Sequence, residues 1–135
     1  MALILVVEDI DQFRTVICGS LEMGGHEVLS SGSAKEALQL CQGKTFDLVL
    51  TDLMMPSVDG IELIRALRTF RRELPILVIS GAPEEMLNMA ITLGANAILR
   101  KPFDLDGLLD AIDKLLNPKN ASREERLSNH RGDRM

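Results

Sequence analysis

The chain has no tryptophan and no tyrosine, and only four phenylalanines in 135 residues. Its core must therefore be aliphatic, built from Leu, Ile, Val, Ala and Met. A hydrophobic share of 46% is ample for one domain of this length. There are two cysteines, Cys18 and Cys41. Both fall in helical apolar patterns and read as small packed hydrophobes, not as a disulfide. Histidine is scarce: His26 follows a Gly-Gly turn and His130 lies near the end of the chain. With no Cys-x-x-Cys and no His cluster, nothing suggests a transition-metal site. No apolar run is long enough to span a membrane. The opening run, residues 2–7, lacks a basic start and meets Glu8-Asp9 at once, so it is no signal peptide either. A cytoplasmic location is the default expectation. A basic surplus is also missing. The net charge is −5, and residues 117–135 carry five basic and three acidic groups, which leaves residues 1–116 at −7. An acidic body argues against direct binding to nucleic acid.

What the chain does have is a rhythm. Short apolar runs at 3–7, 48–51, 76–79 and 97–99, with a short strand at 27–31 around Val28 and Leu29, alternate with amphipathic stretches at 12–23, 34–43, 61–70, 84–93 and 105–116. Strands that are apolar on both faces suit a parallel sheet covered by helices on both sides. The spacing thus predicts an α/β fold, (βα)5, doubly wound in three layers. The helix stripes are Phe13, Val16, Ile17 and Leu21; Ala34, Ala37, Leu38 and Cys41; Ile61, Ile64, Leu67 and Phe70; Leu87, Ala90 and Ile91; and Leu108, Leu109, Ile112, Leu115 and Leu116. Met86, Met89 and Leu93 form a second stripe on the fourth helix, readable as gap filling or as an exposed output surface. Ser33 and Glu36 form a capping box, and Pro83 suits the first turn of the fourth helix. Residues 57–60 read as a turn, and Arg71-Arg72-Glu73 as a solvated helix end. Residues 1–117 form the predicted domain. Residues 118–135 read as a disordered polar tail or the start of a linker.

The residues that carry chemistry sit where strands end. Glu8 and Asp9 follow strand one, Asp52 follows strand three, Ser80 ends strand four, and Lys101 follows strand five. Asp52 alone would read as a loop cap. In a parallel sheet, however, all carboxyl ends lie on one edge, which is where such sheets bind ligands. Three carboxylates there repel one another unless a cation neutralises them. Hard oxygen donors without His or Cys favour Mg²⁺. Lys101 suits a phosphate oxygen, Ser80 can donate to another, and Asp52 is left as a nucleophile able to form an aspartyl-phosphate.

These motifs, Val7-Glu8-Asp9, the run from Asp52 through Pro56 to Asp59-Gly60, Ser80-Gly81 and Lys101-Pro102-Phe103, resemble the receiver domain of two-component response regulators over residues 2–117. The resemblance implies a flavodoxin-like fold with strand order 2-1-3-4-5. It implies that Asp52 accepts a phosphoryl group from a sensor histidine kinase or a phosphotransfer protein. It implies Mg²⁺ bound by Asp9 and Asp52, by Glu8 through water, and by the Met54 backbone carbonyl. Ser80 and Lys101 would contact the phosphoryl group, and the Lys101–Pro102 bond is often cis in the family. Such a protein promotes its own phosphorylation and dephosphorylation but works as a switch of partner binding. Kinase docking would use Gln12, Phe13 and Ile17 with the Pro102-Phe103 loop. An output or homodimer face would comprise helix 4, strand 5 and helix 5.

Four positions set this sequence apart within the family. Ile98 stands where an aromatic switch residue is usual, and Glu8 replaces the commoner Asp. Met54 and Ala82, two residues beyond Asp52 and Ser80, are apolar and unsuited to orienting a hydrolytic water. Two other readings are weaker. A hydrolase with an Asp nucleophile would want a second Asp where Met54 stands. A non-phosphorylated, receiver-like interaction module would be expected to lack Asp52, Lys101 or the acidic pair.

Overall fold

The computed structural model describes residues 2–55 and 58–118, the side chains of residues 54, 55, 58 and 59 excepted. The expected disorder of the tail, with His130, falls outside these residues. Five strands form one parallel sheet: β1 (Leu3–Val7), β2 (Glu27–Ser31), β3 (Leu48–Asp52), β4 (Ile76–Ser80) and β5 (Ala97–Arg100). Their spatial order is β2-β1-β3-β4-β5, the doubly wound arrangement expected. The intervening helices are α1 (Asp11–Met23), α2 (Ala34–Gly43), α3 (Gly60–Phe70), α4 (Glu84–Leu93) and α5 (Leu105–Leu116).

Alternate residues of each central strand serve opposite faces, because side chains in a strand have a period of two. Leu5, Val7, Val49, Ile76 and Val78 meet α2, α3 and α4. Ile4, Val6, Leu48, Leu50, Leu77 and Ile79 meet α1 and α5. Both faces of β3 and β4 are buried along their whole length, which explains the apolar runs 48–50 and 76–79 that precede their polar ends. The start of β1 is pinned by two side chains. Asp47 Oδ2 accepts from the Leu3 N–H at 2.8 Å, and His26 Nδ1 from the Ala2 N–H at 3.2 Å.

Several local expectations change in the folded chain. In α1 only Ile17 and Leu21 are buried, while Phe13 and Val16 are 50% and 67% exposed. The apolar arc of α1 is wider than the surface its neighbours cover. In α4, Leu87 and Ala90 face inward, but Ile91 is exposed. Met86 and Leu93 pack against the core instead, and of the second stripe only Met89 is exposed. The inward face of α4 is thus rotated toward the methionine side. In α3, Leu63 joins the expected stripe, because this helix is enclosed by both α2 and α4.

The residues read as a turn after β3 are partly a ladder. Met54–Met55 pairs antiparallel with Val58–Asp59, and Gly60 already begins α3. Pro83 is the N-cap of α4 and extended, not its first helical residue. Ser33 caps α2 by accepting from the Glu36 N–H at 3.2 Å. The Ser33 N–H donates to Ser31 Oγ at 3.1 Å, so the return half of the box is supplied by a serine and not by Glu36. Arg71 is no freely solvated helix end: it donates to the Cys41 carbonyl at 2.9 Å and lies over the Phe70 ring.

Candidate functional site

The carboxyl edge of the sheet is where β1, β3 and β4 release their last side chains. Thr51 and Asp52 pair in register with Val78 and Ile79 of β4, and Val7 with Thr51 of β3. Asp52 is therefore held at the end of a strand hydrogen-bonded on both sides. It is 5% exposed, and Glu8, one residue past β1, is 2% exposed. Lys101 arrives from the end of β5, where its N–H donates to the Ser80 carbonyl at 3.1 Å. Its ammonium donates to Asp52 Oδ2 at 2.6 Å, an ion pair with the carboxylate buried and the lysine one-third exposed. The Lys101–Pro102 peptide bond is cis.

Of the expected carboxylates, Glu8 and Asp52 act on each other directly. The Glu8 and Asp52 carboxyls lie close enough for the charge of one to bear on the other. Burial first, and the charge of Asp52 second, push the Glu8 carboxyl up from 4.5 to about 7, against the opposing pull of Lys101. Glu8 Oε1 is buried and accepts no hydrogen bond among the described residues. A buried carboxylate oxygen facing another carboxylate suits a hard cation, so the donor chemistry fits Mg²⁺. Among the described residues, however, no three acidic, His or Cys side chains are grouped so as to hold a metal ion. The repulsion between Glu8 and Asp52 is opposed in this structure by the Lys101 ammonium.

Ser80 is fully buried at the end of β4, and its Oγ accepts from the Ala82 N–H at 3.0 Å. That contact leaves the hydroxyl proton to donate elsewhere. Ala82 is itself buried. Ile98, in the usual aromatic position, is half-buried against the core on the α2–α4 face. Cys18 and Cys41 are free thiols whose ionisation burial pushes up, in keeping with a packing role.

The sequence reading passed over two arginines. Arg14 donates to the Glu8 carbonyl at 2.7 Å and pairs with Asp11, which fastens α1 to the acidic loop. Arg68 grips the turn between α4 and β5 through the Gly94 carbonyl and Asn96 Oδ1. Arg14 leaves a faint trace in sequence, as an acid three residues ahead on a helix. Arg68 leaves none, because its main acceptor is a backbone carbonyl 26 residues away.

Beside Lys101, α1 and the segment after β5 enclose an apolar groove of about 560 Å³, lined by Phe13, Val16, Ser20, Lys101, Pro102 and Phe103 among others. Ile17, expected at this docking face, is buried at the groove floor, and Val16 is exposed in its place. No helix among the described residues is long and apolar enough to cross a membrane.

Comparison with known proteins agrees with this geometry. The response regulator receiver domain model matches residues 4–113. The response regulator receiver protein CpdR of Brucella abortus is 35% identical over 117 residues, covering 86% of this chain and 98% of that protein. The alkaline phosphatase synthesis transcriptional regulatory protein PhoP of Bacillus subtilis is 35% identical over 101 residues, 74% of this chain but only 42% of PhoP. The chain thus spans less than half of that longer regulator. The chemotaxis protein CheY4 of Vibrio cholerae superposes with a TM-score of 0.81 at 30% identity, covering 86% of this chain and 99% of that one. Sheet order, acidic edge, the pairing of Lys101 with a buried Asp52 and these matches converge, and the chain belongs to the receiver domains of two-component response regulators.

Proposed function

We propose that Asp52 is the phosphoacceptor of this receiver domain and that its phosphorylation switches partner binding. The observation that carries this is the Asp52–Lys101 ion pair at the carboxyl edge, its carboxylate buried next to Glu8. In the transfer, an Asp52 carboxylate oxygen forms a bond to phosphorus as the phosphorus–nitrogen bond of a phosphohistidine breaks. The imidazole leaves with the electron pair and is protonated. Lys101 neutralises charge on the phosphoryl oxygens, and the Ser80 hydroxyl donates to one of them. Work of this kind needs mainly position and charge compensation.

Receiver domains use Mg²⁺. In this chain Asp9, Asp52 and the Met54 carbonyl would hold it, with Glu8 acting through water. Bound there, it would supply further charge neutralisation of the carboxylates and the phosphoryl group.

Receiver domains interact with sensor histidine kinases. The kinase or phosphotransfer protein would dock a histidine-bearing element in the groove between Phe13 and Phe103, which opens beside Lys101. A cytoplasmic location and an output or homodimer face on α4, β5 and α5 complete the reading. The acidic charge of residues 1–116 supports a protein partner in preference to direct contact with nucleic acid.

The test is intact mass after incubation with acetyl phosphate and Mg²⁺. One added phosphoryl group is expected, absent from Asp52→Asn and from a metal-free sample. No adduct on the wild type, or an adduct that persists in Asp52→Asn, overturns the assignment.

A further inference from the structure

The Lys101 ammonium has a second neighbour besides Asp52. Its Nζ lies 5.4 Å from the centroid of the Phe13 ring. That is within the distance at which an aromatic face attracts a cation. The same nitrogen donates to Asp52 Oδ2 at 2.6 Å, so one ammonium bridges the ring and the carboxylate. Lysine carries this charge on a flexible stem with several rotamers, and a third of the Lys101 side chain is open to solvent. Without a second hold, the ammonium can swing out to water. Phe13 is placed to oppose that. It sits in the first turn of α1, a helix fastened to the acidic loop by Arg14. Half of its surface is exposed, so the core does not require an aromatic there.

We propose that Phe13 is a positioning residue for phosphoryl transfer. Its ring face holds the Lys101 ammonium over Asp52, where the incoming phosphoryl oxygens need compensation. The inference rests on Asp52 being the phosphoacceptor. It also ties the groove on α1 to the chemistry. A partner that covers Phe13 would exclude water from the ring–ammonium contact, and such contacts strengthen when desolvated.

A small phosphodonor tests this without a docked protein. With acetyl phosphate, an Asp52 oxygen bonds to phosphorus while acetate leaves with the electron pair, so no partner is needed to touch Phe13. The saturating labelling rate would be measured by intact mass for wild type, Phe13→Leu, Phe13→Tyr, Lys101→Met and the double variant Phe13→Leu/Lys101→Met. Circular dichroism would establish that each is folded. Phe13→Leu is expected to slow labelling about two- to fivefold, the effect of losing one partly exposed cation–π contact. Phe13→Tyr keeps the ring face and should restore the rate. In the Lys101→Met background, Phe13→Leu should have no further effect, because there is no ammonium left to hold. Phe13→Leu labelling at the wild-type rate overturns the inference. So does a loss that persists in the Lys101→Met background, or a Phe13→Tyr variant as slow as Phe13→Leu. A wild type that takes no phosphoryl group overturns the phosphoacceptor reading and this inference with it, an outcome distinct from the other three.

Discussion

Gly60 packs directly against the backbone of Asp52. A Cβ built on Gly60 would run into the Asp52 carbonyl oxygen and stand 2.7 Å from the Leu53 Cα. Both obstacles are backbone, so neither can rotate aside. The start of α3 is thereby pressed onto the peptide unit that carries the candidate phosphoacceptor.

Gly60→Ala is therefore expected to destabilise the fold by about 1–3 kcal/mol, the usual range for overpacking at a closed site. Urea unfolding measures this. The labelling rate at Asp52 should fall as well, since the strand end must shift to make room. A variant as stable as the wild type would mean that the approach relaxes freely.

Arg68 binds the turn after α4 with one edge of its guanidinium and the residue following its own helix with the remaining nitrogen. Nε and Nη2 donate to the Gly94 carbonyl at 3.0 and 2.7 Å, Nη2 also to Asn96 Oδ1 at 2.7 Å, and Nη1 to the Arg71 carbonyl at 2.8 Å. Asn96 Oδ1 in turn accepts from the Ile76 N–H at the start of β4. Gly94 has a φ of +123°, which a side chain would strain, and a Cβ there would meet Arg68. Arg68→Ala should cost about 1–3 kcal/mol, because it strands several acceptors at once. Arg68→Lys should recover only part of this, lacking the planar fork. Chemical unfolding of the two variants separates the charge from the geometry.

Glu8 gives the domain a pH dependence of definite sign. Its carboxyl is raised from 4.5 to about 7 in the folded chain. Between those values the folded state holds a proton that the unfolded state has released. Stability from this group is full below about pH 4.5 and is lost as the pH rises through about 7. In metal-free buffer, the unfolding midpoint should thus be lower at about pH 8 than at about pH 5. Glu8→Gln should shrink that difference. Added Mg²⁺ should raise the midpoint more at the higher pH, because cation and proton compete for the same carboxylates. A metal effect independent of pH would contradict Glu8 as part of the cation site.

The phosphorylated form is expected to be long-lived. Ala82 is buried and Met54 is a thioether, so neither can orient a water for attack on the phosphoaspartate. Decay of the labelled protein, followed by intact mass after the donor is removed, should take minutes or longer. Met54→Asn should shorten it by restoring a hydrogen-bonding group. Decay of the wild type within seconds would refute this.

The spelling of the chain was enough for the layout of the molecule. Continuous apolar strands separated by amphipathic helices admit few solutions other than a covered parallel sheet. In such a sheet Glu8, Asp52, Ser80 and Lys101 must reach one edge, since each lies at or just beyond a strand's carboxyl end. Strand order did not come from periodicity. It followed from the resemblance carried by those edge residues, and the sheet agrees with it. Tertiary structure decided what periodicity leaves open. A stripe states that a helix has an apolar arc, but neighbouring elements choose which part is covered. For that reason Ile17 and Leu21 are buried while Phe13 and Val16 are not. The hold of Arg14 on Glu8 and of Arg68 on Gly94 could not be read in advance, because every residue offers the same backbone carbonyl. Likewise, only the fold brings the ring of Phe13 to the ammonium of Lys101, across 88 positions of sequence that carry no mark of the contact.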